Sequence, residues 1–193
     1  RARARPTLSR SSPSDLRRMS LPPGSTIGIS GGGQLGRMMA LAAARLGYRC
    51  HILDPHESPC AAEVSDKFTR AAFDDVAALR NFGEQCDVVT YEFENVPVET
   101  VLFLEKRIPV RPGSKALGVA QDRILEKTLA RQLGAMTADF SAVNSLADMQ
   151  AAVAKQGVPG ILKTTRMGYD GKGQAKITAA GDVSAAWDAM KGQ

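Results

Sequence analysis

The residues best suited to chemistry lie in one stretch, 163–174, which reads KTTRMGYDGKGQ. An apolar run at 160–162 precedes it and predicts a buried strand that ends at the first lysine. The glycines let the backbone take positive φ and turn several N–H groups toward one ligand, and the lysines add cationic charge beside them. This combination favours a polyphosphate ligand. The lysines are Lys163 and Lys172, and the glycines are Gly168, Gly171 and Gly173.

Spacing alone leaves a second interpretation of this stretch open. Glycine-rich connections are commonly plain turns of a solvated β-hairpin. The stretch is not a P-loop, because the pattern GxxxxGK[ST] is absent from it. The choice between a phosphate-binding loop and a plain hairpin therefore depends on the rest of the chain.

A second glycine turn lies near the start, where Gly31, Gly33 and Gly36 spell GxGxxG after a predicted strand at 26–30. A helical pattern follows at once and a strand is predicted at 48–53, which together make a βαβ unit. The turn faces a helix N-terminus, where backbone N–H groups and the helix dipole favour an anion. The helical spacing places a set of apolar residues on one face: Leu35, Met38, Met39, Ala42 and Leu46.

Asp54 makes a dinucleotide enzyme one candidate. It comes 18 residues after Gly36, where an acid binds the ribose in such enzymes. A nicotinamide-linked oxidoreductase would use both features. GxGxxG alone is weak support, because close packing of a strand against a helix also selects glycine.

Two carboxylates, Glu92 and Glu94, follow a predicted strand at 87–90 in the motif YEFEN. Open α/β sheets bind ligands at the carboxyl ends of parallel strands, so this is a candidate substrate position. The alternative is that both side chains only solvate a loop.

Periodicity and caps predict the remaining elements. Asp122 is expected to cap a helix that Gly134 ends, with Arg123 in its first turn, where a cation opposes the helix dipole and an anionic partner would be favourable. Ser145 and Asp148 form a capping box for a further helix. Helices are predicted at 75–85 (with Val76, Leu79 and Phe82 inward), 98–106, 114–120, 145–156 and from about 184, and strands at 68–69, 108–110, 140–143 and 175–177.

The net charge of +5 arises in the first 19 residues, which hold six arginines and one acid. The other 174 residues hold 19 basic and 19 acidic side chains, so the folded part has no basic excess and a nucleic-acid partner is not expected. The Arg- and Ser-rich start resembles a transit peptide, although a leader upstream of Met19 is the simpler interpretation. Either way, residues 1–22 are expected to be disordered.

Cysteine and histidine spacing gives no support for a disulfide framework or a metal site. Cys50, Cys60 and Cys86 are odd in number and form no CxxC pair, which favours a reducing, cytoplasmic compartment. His51 and His56 are poorly spaced for a shared metal. No apolar run approaches the roughly 20 residues of a membrane span, so no membrane partner is expected.

Taken together, three stretches give the chain a specific family resemblance. These are IGISGGGQLGRMMALAAARLGY (27–48), CDVVTYEFENVP (86–97), and QDRILEK (121–127) with KTTRMGYDGKGQ. In this order they resemble the ATP-grasp superfamily and, within it, the 5-(carboxyamino)imidazole ribonucleotide synthases. The resemblance implies an α/β protein with a Rossmann-like pre-ATP-grasp domain and parallel sheet at 23–112, followed at 113–193 by the start of an incomplete α+β ATP-grasp domain.

The same resemblance implies an activity and its ligands. These synthases use ATP to convert bicarbonate to carboxyphosphate, which carboxylates the exocyclic amine of 5-aminoimidazole ribonucleotide in purine biosynthesis. A glycine loop that closes over the phosphates keeps water from the acyl phosphate. The two glycine turns are expected to face one cleft that holds both substrates. Met167, where relatives often carry glycine, is a departure that would stiffen the loop.

The resemblance also assigns residues. Gln34, Leu35 and Glu92 match substrate-contacting positions, and Arg123 and Lys163 match positions that contact ATP. Residues 168–174 match the loop over the phosphates, in which Tyr169 and Asp170 face the imidazole substrate and are the candidate catalytic residues. The full set expected at ATP is Arg123, Lys163, Gly168, Tyr169, Asp170, Gly171, Lys172, Gly173 and Gln174.

The resemblance places the Mg²⁺ ligands beyond residue 193. We therefore expect this chain to be an N-terminal piece that turns over no ATP alone. The full-length enzyme is expected to be a homodimer. Two other functions stay open besides the oxidoreductase. One is a formate-dependent glycinamide ribonucleotide transformylase of the same superfamily, which YEFEN and GYDGKGQ together disfavour. The other is a non-catalytic binding module.

Overall fold

The computed structural model describes residues 20–168 and 172–190, and these form two units. The first unit comprises residues 20–92 and 106–111, and the second comprises Phe93–Glu105 together with the described residues from Pro112 onward. The helix after YEFEN thus belongs with the second unit. The domain boundary near residue 112 stays a prediction.

A parallel sheet of order β3-β2-β1-β4 forms the first unit. Strand β1 lies at its centre, with Gly28 opposite His51 on one side and Val89 on the other. Alternation of strands and helices produces this topology, because parallel neighbours need a crossover connection. The elements are β1 Thr26–Ser30, α1 Gln34–Arg45, β2 Arg49–Asp54, β3 Lys67–Arg70, α2 Val76–Glu84 and β4 Val88–Tyr91, with a 3₁₀ turn at Ala62–Val64.

Helix α1 packs on this sheet through small residues, which corrects the expectation that its large apolar residues share the packed face. Gly36, Ala40 and Ala43 are buried, whereas Leu35, Met38 and Leu46 are 56%, 58% and 68% exposed. Of the larger residues of the predicted face, Met39 still packs against the buried cluster, whereas Leu35, Met38 and Leu46 point away from it. The buried cluster beneath α1 is Ile29, Ala40, Ala43, Cys50, Ile52 and Ala61.

The second unit consists of helices and a two-stranded antiparallel hairpin. In the hairpin Gly160 lies opposite Ile177 and Lys163 opposite Gln174. Its core is formed by Met149, Ile177, Val183 and Ala186, with Trp187 packed against them. The elements are α3 Val98–Glu105, α4 Ser114–Ala120, α5 Arg123–Gln132, α6 Leu146–Gln156, β5 Gly160–Lys163, β6 Gln174–Ile177 and α7 Val183–Met190, with a 3₁₀ turn at Ala180–Asp182.

Three further local predictions fail. The strand predicted at 140–143 is irregular, because Phe140 instead lies beneath cations of α5, with the Arg131 guanidinium carbon 4.6 Å from its ring centroid. The strand at 108–110 reduces to a single parallel bridge between Val89 and Val110. In α2, Leu79 and Phe82 are buried as predicted, but Val76 is 53% exposed because it begins the helix.

Candidate ligand-binding sites

The first glycine turn already holds an anion from its own chain. The Gly33 N–H donates to Glu92 Oε1 at 2.8 Å, and the Gly36 N–H donates to Glu92 Oε2 at 2.5 Å. Glu92 follows β4 directly, and parallel pairing of β4 with β1 brings the two strand ends to the same edge. Two of the N–H groups at the start of α1 are therefore satisfied by a carboxylate 56 and 59 residues away.

Glu92 approaches both glycines closely, and at Gly36 the backbone of Gly31 is equally near. A Cβ atom on Gly33 would lie 2.6 Å from Glu92 Oε1. One on Gly36 would lie 2.9 Å from both Glu92 Oε2 and the Gly31 carbonyl oxygen. The GxGxxG spacing in this chain thus accommodates a side chain of the protein.

Asp54 binds the same turn from β2. Its Oδ2 accepts from the Gly32 N–H at 2.7 Å, and its Oδ1 accepts from the His56 N–H at 2.8 Å and contacts His56 Nδ1 at 2.7 Å. The Asp54 side chain is only 7% exposed. Both oxygens are engaged by the protein, so Asp54 is poorly placed to accept from a ribose hydroxyl.

Gln34 and Leu35 begin α1, and both side chains are exposed at the end of the sheet where the turn lies. Cys60 Sγ lies 3.8 Å from Gln34 Oε1. The first unit therefore brings the three predicted substrate residues, Gln34, Leu35 and Glu92, to one glycine turn. Leu35 and Gln34 are available to a ligand there, while the Glu92 carboxylate is held by backbone N–H groups.

The second glycine stretch is described at its two ends, and Tyr169, Asp170 and Gly171 lie outside the described residues. The ends meet where the Thr164 N–H donates to the Gly173 carbonyl oxygen at 2.9 Å. A Cβ atom on Gly173 or Gly168 would lie 2.6 or 2.9 Å from Thr164 Oγ1. Both glycines are therefore needed for the two chain segments to approach each other above β5.

Arg123 holds the first of these ends. Its backbone N–H donates to the Thr165 carbonyl oxygen at 3.0 Å, and its Nη2 donates to the Gly168 carbonyl oxygen. Between these contacts Met167 takes φ +60°, in the left-handed region, whereas the expected positive φ is absent from Gly168. The positive φ expected at glycine is present at Gly173, with φ +63°.

Basic side chains lie near the point where the two ends of the second glycine stretch meet. Lys163 at the end of β5 and Lys172 near the start of β6 are both exposed. A cavity of about 270 Å³ beside it has Arg123 and Arg166 facing Glu94 and Glu126. The second unit thus brings together the predicted ATP residues Arg123, Lys163, Gly168, Lys172, Gly173 and Gln174. Whether the two glycine turns face one cleft stays a prediction.

Two residues at these sites were not singled out from the sequence. Gln121 donates through Nε2 to the Glu94 and Val96 carbonyl oxygens, and Arg166 lies between Gln121 and Asp122. The sequence offered one clue to Gln121, because it immediately precedes the Asp122 cap and Arg123. Polarity alone could not show that Gln121 reaches a loop more than 20 residues away.

The side chains of the first unit whose pKa values are shifted lie in its interior. Burial lowers the pKa of His51 to about 4, assisted by Lys67, and burial raises the pKa of the Cys86 thiol to about 12, assisted by Asp87. Burial and the nearby Asp66 also raise the pKa of the Cys50 thiol to about 11. These thiols are protonated at neutral pH, so neither is an activated nucleophile.

Two family models match the chain. The ribonucleotide synthetase preATP-grasp domain matches residues 24–121, and the ATP-grasp domain matches residues 128–193. The chain belongs to this family of ATP-grasp ribonucleotide synthetases. The α/β fold class and the family predicted from the sequence are thereby confirmed. Among the described residues, no helix is both long and apolar enough to cross a bilayer.

Curated proteins of purine synthesis are similar to the chain in sequence. The chain is 52% identical over 167 residues to the bifunctional purine synthesis protein purC/E of Dictyostelium discoideum, covering 86% of this chain and 17% of that protein. It is 47% identical over 161 residues to the N5-carboxyaminoimidazole ribonucleotide synthase of Pseudomonas aeruginosa, covering 83% and 44%. The chain therefore spans less than half the length of these curated relatives.

A solved structure gives the same result in three dimensions. The Aspergillus clavatus N5-carboxyaminoimidazole synthase, in complex with ADP and 5-aminoimidazole ribonucleotide, superimposes with a TM-score of 0.77 at 27% identity. The superposition covers 89% of this chain and 45% of the Aspergillus clavatus chain.

Proposed function

We propose that this chain serves the ATP- and bicarbonate-dependent carboxylation of 5-aminoimidazole ribonucleotide to 5-carboxyaminoimidazole ribonucleotide, a step of purine biosynthesis. The observation that carries this proposal is the 47% identity over 161 residues to a synthase of that name. The ADP and ribonucleotide bound to the Aspergillus clavatus relative support the two ligands proposed. The setting we propose is the cytoplasm.

In this proposal the reaction joins bicarbonate to the exocyclic amine of the ribonucleotide. ATP supplies the phosphoryl group that makes the bicarbonate carbon reactive as carboxyphosphate. The amine nitrogen then bonds to that carbon while phosphate leaves, and the nitrogen loses one proton. The leaving phosphate takes up this proton, and the proton of bicarbonate is released. The products are therefore ADP, phosphate, the carboxylated ribonucleotide and one proton, so atoms and charge balance.

The residues of the second unit are proposed to bind the triphosphate. Lys163, Lys172 and Arg123 supply cationic charge, and backbone N–H groups of 168–174 supply donors; positioning and charge neutralisation are the main contributions to phosphoryl transfer. Tyr169 and Asp170, which lie outside the described residues, are proposed to face the imidazole. Mg²⁺ would neutralise further phosphate charge, with ligands outside this chain.

The residues of the first unit are proposed to bind the ribonucleotide. Gln34 and Leu35 are exposed at the glycine turn and can contact it directly. Because Glu92 already accepts two backbone N–H groups, its proposed contact with the ribonucleotide uses its remaining lone pairs. A negatively charged phosphate at this turn would be repelled by Glu92, so the sugar or base is the group expected there.

The same contacts disfavour a nicotinamide-linked oxidoreductase. That function needs the pyrophosphate at the N-terminus of α1 and an acid free to bind the ribose. Here Glu92 fills the first position and Asp54 is buried by Gly32 and His56.

The test joins this chain to the downstream half of the Pseudomonas aeruginosa synthase and measures ADP release with ATP, bicarbonate and 5-aminoimidazole ribonucleotide. We expect release that depends on the ribonucleotide, and its loss by at least about 100-fold in Lys163→Met. We expect no steady release from the 193-residue chain alone. Ribonucleotide-dependent ATP hydrolysis by the chain alone, or a folded fusion that is inactive, would contradict the proposal.

A further inference from the structure

Two residues of the second unit that are separated only by Asp122 contact two different loops. Gln121, which follows α4, donates through Nε2 to the carbonyl oxygens of Glu94 at 2.7 Å and Val96 at 2.8 Å. Both amide hydrogens of Gln121 are therefore used to hold the loop that continues YEFEN into α3. Gln121 is half-buried, and its bond to the Val96 carbonyl oxygen is partly shielded from water.

Two residues along the chain, Arg123 holds the other loop. It contacts the Thr165 and Gly168 carbonyl oxygens, at the base of the glycine stretch. Its Nε is buried and has no hydrogen-bond partner among the described residues, so the guanidinium is fixed through Nη2.

Asp122 makes the connection between these two residues stiff. Its Oδ1 accepts from the Ile124 N–H at 2.9 Å and the Leu125 N–H at 3.1 Å, which fixes the first turn of α5. Arg166 approaches the same residues only loosely, with Nη1 3.5 Å from Gln121 Oε1 and Nε 3.8 Å from Asp122 Oδ2. These long, exposed contacts contribute little, so Gln121 and Arg123 are the principal links.

We propose that Gln121 is a positioning residue that couples the loop at 93–97 to the base of the glycine loop at 164–168. A displacement of one loop is transmitted through Gln121, the capped turn and Arg123 to the other. The functional role of this coupling rests on the proposed function. In that function, a ligand bound beside the loop at 93–97 helps to order the loop that covers the triphosphate. Such coupling requires a direct test, since spatial proximity alone does not establish it.

Hydrogen exchange measured by mass spectrometry on the ligand-free chain provides that test. In Gln121→Met, which keeps the length but removes both donors, we expect exchange to rise about tenfold in peptides from both 93–98 and 163–168. Arg123→Met should raise exchange in the same two segments. The matched control is Gln156→Met, which removes one exposed side-chain bond to Ser141 in the same unit and should leave both segments unchanged.

The coupling is overturned if Gln121→Met raises exchange only at 93–98, or if Arg123→Met raises it only at 163–168. Should Gln121→Met unfold the second unit, Gln121→Asn, which keeps the amide but shortens the side chain, is judged by the same criterion. Because no ligand is added, a negative result refutes the coupling without bearing on the carboxylation, and loss of the carboxylation does not affect this result.

Discussion

The two glycine turns of this chain use the same residue for opposite purposes. At 31–36 the glycines admit the Glu92 and Asp54 carboxylates, and the backbone N–H groups are satisfied by the protein itself. At 164–174 the described glycines approach Thr164 closely, and Arg123 and Arg166 line a cavity beside them together with Glu94 and Glu126. Glycine spacing therefore identifies a close approach, and the structure shows which group makes it.

The largest expected effect comes from filling the first turn. In Gly36→Ala the new Cβ would lie 2.9 Å from the Gly31 carbonyl oxygen, which is backbone and cannot rotate away. We expect the free energy of unfolding of the first unit to fall by about 2–3 kcal/mol in urea denaturation. Gly181→Ala is the control, because a Cβ there meets nothing within 4 Å, and should change stability by less than about 0.5 kcal/mol. Equal losses in the two variants would refute the close approach.

Removing the internal anion should have the next largest effect. Glu92→Gln keeps the shape but loses the charge that the Gly33 and Gly36 N–H groups bind, which should cost about 1.5–3 kcal/mol of unfolding free energy. Glu94→Gln, two residues on in the same motif and exposed, should cost almost nothing. If the two substitutions have the same effect by chemical denaturation, Glu92 does not stabilise the turn.

The pH dependence of the stability of the first unit tests whether His51 stays buried and uncharged. Folding lowers the pKa of His51 from 6.5 to about 4, so between these values the unfolded state binds the extra proton. Stability should therefore fall by roughly 2 kcal/mol as the pH decreases from 6.5 to 4. The drop should shrink in His51→Gln and persist in His56→Gln, whose side chain is 83% exposed. An unchanged pH profile in His51→Gln would show that His51 protonates freely in the folded chain.

The smallest expected effect lies in the second glycine stretch, just before Gly168. Met167 takes φ +60°, which costs a non-glycine residue about 1 kcal/mol, partly offset by the greater freedom of glycine in the unfolded chain. Met167→Gly should therefore raise the unfolding free energy of the second unit by up to about 1 kcal/mol. Arg166→Gly, at an exposed neighbour without a positive φ, should lower it by about 0.5–1 kcal/mol. Destabilisation by Met167→Gly in thermal denaturation would contradict the strain at this position.

Local signals in the sequence were sufficient where the partners are close in the chain. Helix α4 has the predicted bounds, Asp122 caps α5, and Ser145 caps α6 by accepting from the Asp148 N–H at 3.1 Å. The Asp148 carboxylate accepts in return from the Asn144 N–H at 3.0 Å.

What the sequence could not supply was the identity of distant partners. The Glu92 contacts to the first glycine turn, the Gln121 contacts to the loop at 93–97 and the cations over Phe140 all join segments that lie apart in the chain. Helical periodicity alone also misplaced the packed face of α1, because glycine and alanine carry little hydrophobic signal although they allow the closest approach to a sheet.

The most direct test of the account is thermal unfolding of the 193-residue chain with increasing 5-aminoimidazole ribonucleotide and, separately, NADH. A ligand that binds only the folded state raises stability with its concentration, by about 2.7 kcal/mol at 100 times its dissociation constant. Because Glu92 and Asp54 occupy the positions that a dinucleotide needs, we predict that the ribonucleotide raises the unfolding temperature and NADH does not. Stabilisation by NADH, with none by the ribonucleotide, would contradict the central claim.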